Sequence, residues 1–268
     1  MSVWRFLNTG LRDGATNMAM DEALLTCVSR GASPPTVRVF GWLPPTVSIG
    51  HSQDPAAEID LGACARAGVG VVRRPTGGRA VFHSGELTYS VAGPSGVAPL
   101  GATIMEAYRA IGEALVAGLA MLGVAASLEE TGTDPGVRRG RASQPCFVSS
   151  GRFEVVFGGR KLVGSAQRRA DGGVLQHGSL LIDSRHAGLA DLLPSLTGEE
   201  RDAVRLSLEA RATTLEGILG RPIAFDEVAA ALRKGFAGAW GIELPEGSLT
   251  DAEETLTAQL ASAYVVGR

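Results

Sequence analysis

Apolar and polar positions alternate over residues 3–8 and predict a short opening strand. Helical spacing takes over at 14–30, where Met18, Leu24, Leu25 and Val28 share a face and Gly31 supplies a stop. Two short strands around Pro44-Pro45 are expected within 36–50, then a helix over 56–67 ended by Gly68. The run 69–74 reads as a buried strand entering a Gly-rich loop, and 79–83 with 86–93 reads as a hairpin. Residues 102–122 carry the clearest helical period, with Ile104, Ile111, Leu115, Leu119 and Leu122 on one face. Residues 131–144 have no periodicity and read as a mobile loop. Strands at 153–157, 160–169 and 173–183 then form a meander, turning at Gly158-Gly159 and Asp171-Gly172-Gly173. The remainder, from about 186, is mostly helical, at 198–209, 225–239 and 251–264.

Strands come in runs, without regular βαβ alternation. The pattern therefore predicts an α+β fold, a mixed or antiparallel sheet with flanking helices. At 268 residues one domain is expected, with a core at about 3–185 and a helical C-terminal region at about 186–268.

Charge narrows the function. A net charge of -3 gives no basic excess for neutralising phosphates, so no nucleic acid partner is expected. Local basic clusters at Arg73-Arg74, Arg138–Arg141 and Arg168-Arg169 are solvated patches or contacts for an acidic protein. No basic and apolar leader opens the chain, and no apolar run nears the roughly 18 residues of a membrane span. Three scattered cysteines favour neither a disulfide framework nor zinc, so a reducing cytoplasm is expected.

Candidate chemistry lies in four places. Cys146 follows a proline at a loop-to-strand junction; locally it is either a displayed thiol or a small buried hydrophobe. Cys27 and Cys64, on helix faces, read as core. Lys161 is one of two lysines among 25 basic residues, and it is either a solvent-facing strand residue or a point charge beside a thiol. The stretch Arg73–His83, RRPTGGRAVFH, places a Gly-Gly pair where backbone can approach a ligand, but it is neither a Walker loop nor G-x-G-x-x-G. Gln176-His177-Gly178 interrupts an apolar strand and suggests a pocket wall or a bulge. His51 and His186 read as surface residues, and no metal-ligand spacing or G-x-S-x-G elbow is present.

Taken in order, RRPTGGRAVFHSGELTYSV, PCF, GGRKLVGSAQRR and GVLQHGSLLID resemble the superfamily of lipoate–protein ligases, octanoyltransferases and biotin ligases. The resemblance covers about residues 3–185 and is nearest to the LipM-type octanoyltransferases. It implies a fold related to the class II synthetase core, and it implies Cys146 as acyl-carrying nucleophile with Lys161 lowering its pKa. Arg79 and Ser84 stand where ligases carry a third glycine and an aspartate, and the chain is short for the accessory domain of many ligases. Substrate binding is implied for Arg74, Thr76, Gly77, Gly78, Arg79, His83, His177 and Gly178, which would wall an acyl tunnel. Gly164, Ser165 and Ala166 would supply oxyanion donors.

The implied donor is octanoyl-acyl carrier protein. The implied acceptor is a lysine of a lipoyl-carrier protein, either the glycine-cleavage H protein or a dehydrogenase lipoyl domain. No cofactor or metal is expected, and a monomer is the default. An ATP-dependent lipoate ligase and a non-catalytic carrier-binding protein are the competing readings.

Overall fold

A computed structural model describes residues 3–130 and 153–266. Cys146 and the whole of the loop expected at 131–144 lie outside the described residues. The chain runs β1 (Arg5–Arg12), α1 (Gly14–Ser29), β2 (Thr36–Trp42), β3 (Thr46–Ile49), α2 (Pro55–Glu58), α3 (Leu61–Arg66), β4 (Gly70–Arg73), β5 (Val81–His83) and β6 (Glu86–Pro94). It continues through α4 (Ile104–Met121), β7 (Ser127–Glu130), β8 (Phe153–Phe157), β9 (Arg160–Ala170) and β10 (Gly173–Leu181). A 3₁₀ helix at Ser184–Leu192 leads into α5 (Gly198–Arg211), α6 (Leu215–Leu219), α7 (Phe225–Trp240) and α8 (Asp251–Leu260).

Seven strands form a mixed sheet in the order β1-β2-β6-β10-β9-β8-β7, and three form a small sheet in the order β4-β3-β5. The mixed α+β class is as expected, and β8-β9-β10 is the expected meander.

Three expectations fail. Strands β5 and β6 are not a hairpin: β5 pairs with β3, whereas β6 pairs with β2 and β10. The link Ser84-Gly85 carries the chain from one sheet to the other. The Gly85 carbonyl accepts from the N–H groups of Ile182 and Asp183, and that residue takes φ +67°, where glycine is favoured. The helix expected over 56–67 is two short helices, because Ile59 turns extended into the core and Asp60 caps α3 by accepting from Ala63 N. His186 is buried rather than on the surface, and burial pushes its pKa down. His51 is exposed, and Cys27 and Cys64 are buried, as expected.

The large sheet has two unlike faces. On one, Val37, Val39, Leu87, Val91, Val174 and Leu180 pack against α4 and α7 in the main apolar core. Helix α4 starts at a capping box between Thr103 and Glu106. It crosses α7 with almost no gap: a Cβ on Gly235 would sit 2.3 Å from Gly118 N. The other face carries α1, through Leu24 and Leu25 against Leu175, and also presents Arg38, Thr88, Ser90, His177 and Ser179. The small sheet lies over this polar half, and the space between them holds the site.

Candidate active site

A narrow slot of about 60 Å³ lies between the two sheets. Arg74, Gly78 and His83 line it from the small sheet and its loop; Gly164, Ser165, Ala166, His177 and Gly178 line it from β9 and β10. Eight of the thirteen residues singled out in the sequence thus meet on one cavity. Its remaining lining includes Met18, Trp42 and Val81, so the surface is mostly apolar.

Arg74 shapes the loop. Its buried guanidinium donates to the carbonyls of Ser48 (2.9 Å), Gly77 (2.9 and 3.1 Å) and Arg79 (2.7 Å). The chain is wound around this cation, so Gly77 and Arg79 act here through their carbonyl oxygens. Gly78 takes φ +100°, and a Cβ on Gly50 would lie 2.0 Å from the Gly78 carbonyl oxygen. Both glycines are therefore needed for the loop to close down on the strand end.

His177 is held from both sides. Its Nδ1 lies 3.0 Å from Asp21 Oδ2 and its Nε2 lies 2.7 Å from Thr76 Oγ1. An ionised carboxylate only accepts, so Nδ1 donates to Asp21, and in the neutral ring Nε2 then accepts from the threonine hydroxyl. Asp21 is fully buried on α1 and also accepts from Arg38 Nη1 (2.7 Å) and Ser90 Oγ (2.8 Å). Burial works to raise its pKa, but the His177 hydrogen bond and the Arg38 charge hold it below the usual carboxylate value. Thr76 does not reach the slot itself; it ties the Gly-rich loop to β10 through His177.

His83 sits in a second directed chain. Arg74 Nη1 donates to Ser48 Oγ (3.1 Å), Ser48 lies 2.7 Å from His83 Nε2, and His83 Nδ1 lies 2.8 Å from Glu86 Oε1. Trp42 stacks on the imidazole, with centroids 4.0 Å apart and planes 11° from parallel, and its Nε1 donates to Thr88 Oγ1.

Lys161 owes its direction to a bulge. Val163 pairs with Val155, but Lys161 pairs with Val156, so Leu162 is the extra residue on β9. Leu162 and Val163 both join the main core, and Lys161 emerges on the opposite face, the one that carries Ser179 and His177. Its Nζ lies 2.6 Å from Glu154 Oε1, and both side chains are about nine-tenths buried. It is not a solvent-facing strand lysine.

The ladder with β8 ends at Val163, while β10 runs beside β9 as far as Ala170. Ser165 turns its hydroxyl to Tyr89 OH, 2.7 Å away, and so meets the slot through its backbone.

The sequence reading missed Asp21, Arg38, Trp42, Glu86 and Glu154. Glu86 stood within a quoted motif, three residues from His83. Asp21 and Arg38 lie in apolar-patterned elements, where one charge reads as a surface position.

The model of the lipoyl protein ligase A/B catalytic domain matches residues 13–237. The chain belongs to that family. It is 44% identical over 266 residues to the octanoyltransferase LipM of Symbiobacterium thermophilum, covering 97% of this chain and 94% of that one. It is 42% identical to the octanoyltransferase LipM of Kyrpidia tusciae, covering 99% and 97%. Among solved structures it resembles a lipoate-protein ligase A bound with ATP, with TM-score 0.77, 25% identity and 97% and 94% coverage. It also resembles a bipartite lipoate protein ligase of Thermoplasma acidophilum, with TM-score 0.76, 26% identity and 98% and 93% coverage. No helix among the described residues is long and apolar enough to cross a membrane.

Proposed function

We propose that the protein is an octanoyltransferase that moves an octanoyl group from acyl carrier protein to a lysine of a lipoyl-carrier protein through a thioester on Cys146. The full-length identity to octanoyltransferases carries this reading, and it disfavours both the ligase and the non-catalytic alternatives. The narrow, mostly apolar slot supports it, since a single acyl chain suits such a space.

In the first half-reaction the Cys146 thiolate attacks the donor thioester carbon. The new C–S bond forms as the carrier thiolate leaves, and one thioester replaces another, so no ATP is consumed. In the second, the acceptor lysine amine attacks the octanoyl-Cys146 carbonyl, the C–S bond breaks, and the amine proton balances the departing thiolate. Thioester to amide runs downhill. The backbone N–H groups of Gly164, Ser165 and Ala166 are the proposed oxyanion donors, and Arg74, Thr76 and His177 hold the loop and strand that wall the acyl chain.

Lys161 is the proposed stabiliser of the thiolate. Because Glu154 accompanies it, the pair acts as a dipole with its positive end at Nζ rather than as a bare cation. The protein works as a monomer in a reducing cytoplasm, which keeps the thiol free.

The test is mass spectrometry of the protein mixed with octanoyl-acyl carrier protein, with and without ATP. One hydroxylamine-sensitive octanoyl adduct is expected without ATP, absent in Cys146→Ser. An adduct that survives that substitution, or that needs ATP, refutes the assignment.

A further inference from the structure

The backbone N–H groups of Gly164, Ser165 and Ala166 are not equivalent as oxyanion donors. In an antiparallel sheet each residue turns its N–H and C=O to one side, and successive residues turn to opposite sides. Ile182 N donates to the Gly85 carbonyl at 2.9 Å, in register with the β6–β10 pairs. Counting back by twos, Leu180, Gly178 and Gln176 bond to β6, so Ser179, His177 and Leu175 bond to β9. Their partners on β9 are Gly164, Ala166 and Arg168. The turn gives the same answer. Asp171 at φ +51° and Gly172 at φ +78° make a two-residue hairpin loop, which a bonded Ala170–Gly173 pair closes.

The N–H groups of Gly164 and Ala166 are therefore spent inside the sheet. That of Ser165 points to the edge of β9 that β8 leaves beyond Val163, and it meets no acceptor among the described residues. Gln167 and Arg169 share this edge but do not line the slot, whereas Ser165 does. We propose that the Ser165 N–H is the oxyanion donor supplied by β9, and that Gln167, Gln176 and Tyr89 are positioning residues that hold it. The inference rests on the transferase reading, in which an acyl carbonyl is attacked at the slot.

The slot face of this stretch is bare. Ser165 turns its hydroxyl to Tyr89, so alternation puts Gly164 and Ala166 on the face of Ser179 and His177. One has no side chain and the other only a methyl group, so little shields the N–H between them. As the thiolate adds to the acyl carbon, charge gathers on the carbonyl oxygen. The N–H donates a hydrogen bond to that oxygen and keeps its proton.

Such a donor works only if it is held in place beforehand, and a strand tethered on one side needs support. A hydrogen-bond chain on the opposite face supplies it. Arg169 is anchored by Ser95 Oγ (2.8 Å), by the Ala102 carbonyl (2.6 Å) and by the carbonyl of Thr103 at the start of α4. Its Nε donates to Gln167 Oε1 (3.1 Å), Gln167 Nε2 donates to Gln176 Oε1 (2.9 Å), and Gln176 Nε2 donates to Tyr89 OH (3.0 Å). A guanidinium only donates, so it orients both amides. The Tyr89 oxygen accepts, and its own hydrogen goes to Ser165 Oγ, 2.7 Å away. Burial pushes the Tyr89 pKa up, so the hydroxyl keeps that hydrogen. Gly178 makes room for the contact: a Cβ there would lie 2.7 Å from Tyr89 Cε1 and 2.8 Å from Ser165 Oγ.

The test uses the full chain. Replacing Ser165 by its α-hydroxy acid counterpart puts oxygen in place of the N–H and keeps the side chain. Acylation by octanoyl-acyl carrier protein should slow about 100-fold, with the unfolding temperature unchanged. The same replacement at Ala166 should lower the unfolding temperature, because a ladder bond is lost. An unchanged acylation rate at Ser165, or equal losses of stability at the two positions, overturns the donor. Tyr89→Phe and Ser165→Ala each break the last link of the chain. Each should slow acylation about ten-fold at unchanged KM, and the double variant should be no slower than either. Additive losses, a change in KM alone, or no change overturns the positioning role.

Two measurements stand apart from acylation. In ¹⁵N-labelled protein the Ser165 amide should exchange with solvent faster than those of Gly164 and Ala166; equal exchange overturns the pairing. Sodium octanoate titrated into Cys146→Ser protein should move the Ser165 amide proton downfield, and an unmoved resonance overturns the donor. If the wild type forms no octanoyl adduct, the transferase reading fails while these two measurements still judge the Ser165 N–H.

Discussion

Asp21→Asn tests whether the slot is held together by charge. In the wild type, Asp21 is the sole carboxylate paired with Arg38 among the described residues, and both side chains are fully buried. Asparagine keeps the shape and one acceptor but removes the charge, leaving a guanidinium buried without compensation. Breaking a buried pair from one side costs about 3–5 kcal/mol. Against a total stability of about 5–15 kcal/mol, that is a large share. Urea unfolding at neutral pH should therefore show a much lower midpoint with an unchanged slope.

The pH dependence has a definite sign. The folded pKa of Asp21 lies below its unfolded value, so its contribution is fully present above the unfolded pKa of about 3.9. It is lost as pH falls through the lower folded value. Asp21→Asn should remove this acid-side component and flatten the stability curve there. A double variant with Arg38→Met should recover part of the loss, because it removes the stranded cation. A single-variant loss below about 1 kcal/mol, or strict additivity in the double variant, would refute the reasoning.

Other outcomes follow from the same geometry. In Lys161→Ala the alkylation profile of Cys146 should move to higher pH by about one unit. If folding fails because Glu154 is stranded, Lys161→Met with Glu154→Gln should restore the fold but not the profile; an unmoved profile in either excludes the role. Trp42 and His83 both line the slot and the neighbouring cavity of about 390 Å³ beside Leu43, Ile182 and Phe225, so Trp42→Ala should open a passage past His83 and let acyl-carrier thioesters longer than octanoyl become donors by mass spectrometry, at a stability cost of about 3–5 kcal/mol. Gly235→Ala gains up to about 1 kcal/mol of helix propensity, but its Cβ would meet Gly118 backbone at 2.3 and 2.4 Å, which cannot yield. A net loss of about 1–3 kcal/mol is expected by thermal unfolding, and a neutral result would show that α4 and α7 slide apart freely.

The parts of the fold legible in the sequence were those fixed locally. The β8-β9-β10 meander announces itself because its turns need positive φ, which Gly158, Gly159 and Gly172 provide, with Asp171 at +51°. Helix α4 shows its period, whereas its Thr103-Glu106 capping box was not read. What failed was pairing at a distance. Ser84-Gly85 has the composition of a tight turn, yet nothing in it says that its carbonyl will accept from Ile182 and Asp183, about a hundred residues on. His186 read as a surface residue because it breaks no strand pattern, but Ala187 and Leu189 draw the 3₁₀ helix into the core beneath the small sheet.

The site was legible in a different way. Its glycines and histidines break strand patterns and so attract notice. Asp21, Arg38 and Glu86 do not, since each is one polar residue in an element that alternates or is amphipathic, and alternation alone cannot tell solvent from the inside of a polar slot. The face of β6 and β10 opposite the apolar core carries Thr88, Ser90, His177 and Ser179, and every one of them meets a partner from another element.

Lys161 marks where this reasoning reaches its limit. Counting by twos along β9 would put its side chain on the core face with Val163. The bulge at Leu162 reverses that count, so the same apolar residues that fill the core also turn the lysine toward the slot face. A one-residue irregularity that periodicity treats as noise thus sets the orientation of the proposed thiolate partner. Motif order found Lys161 where pattern counting would have lost it.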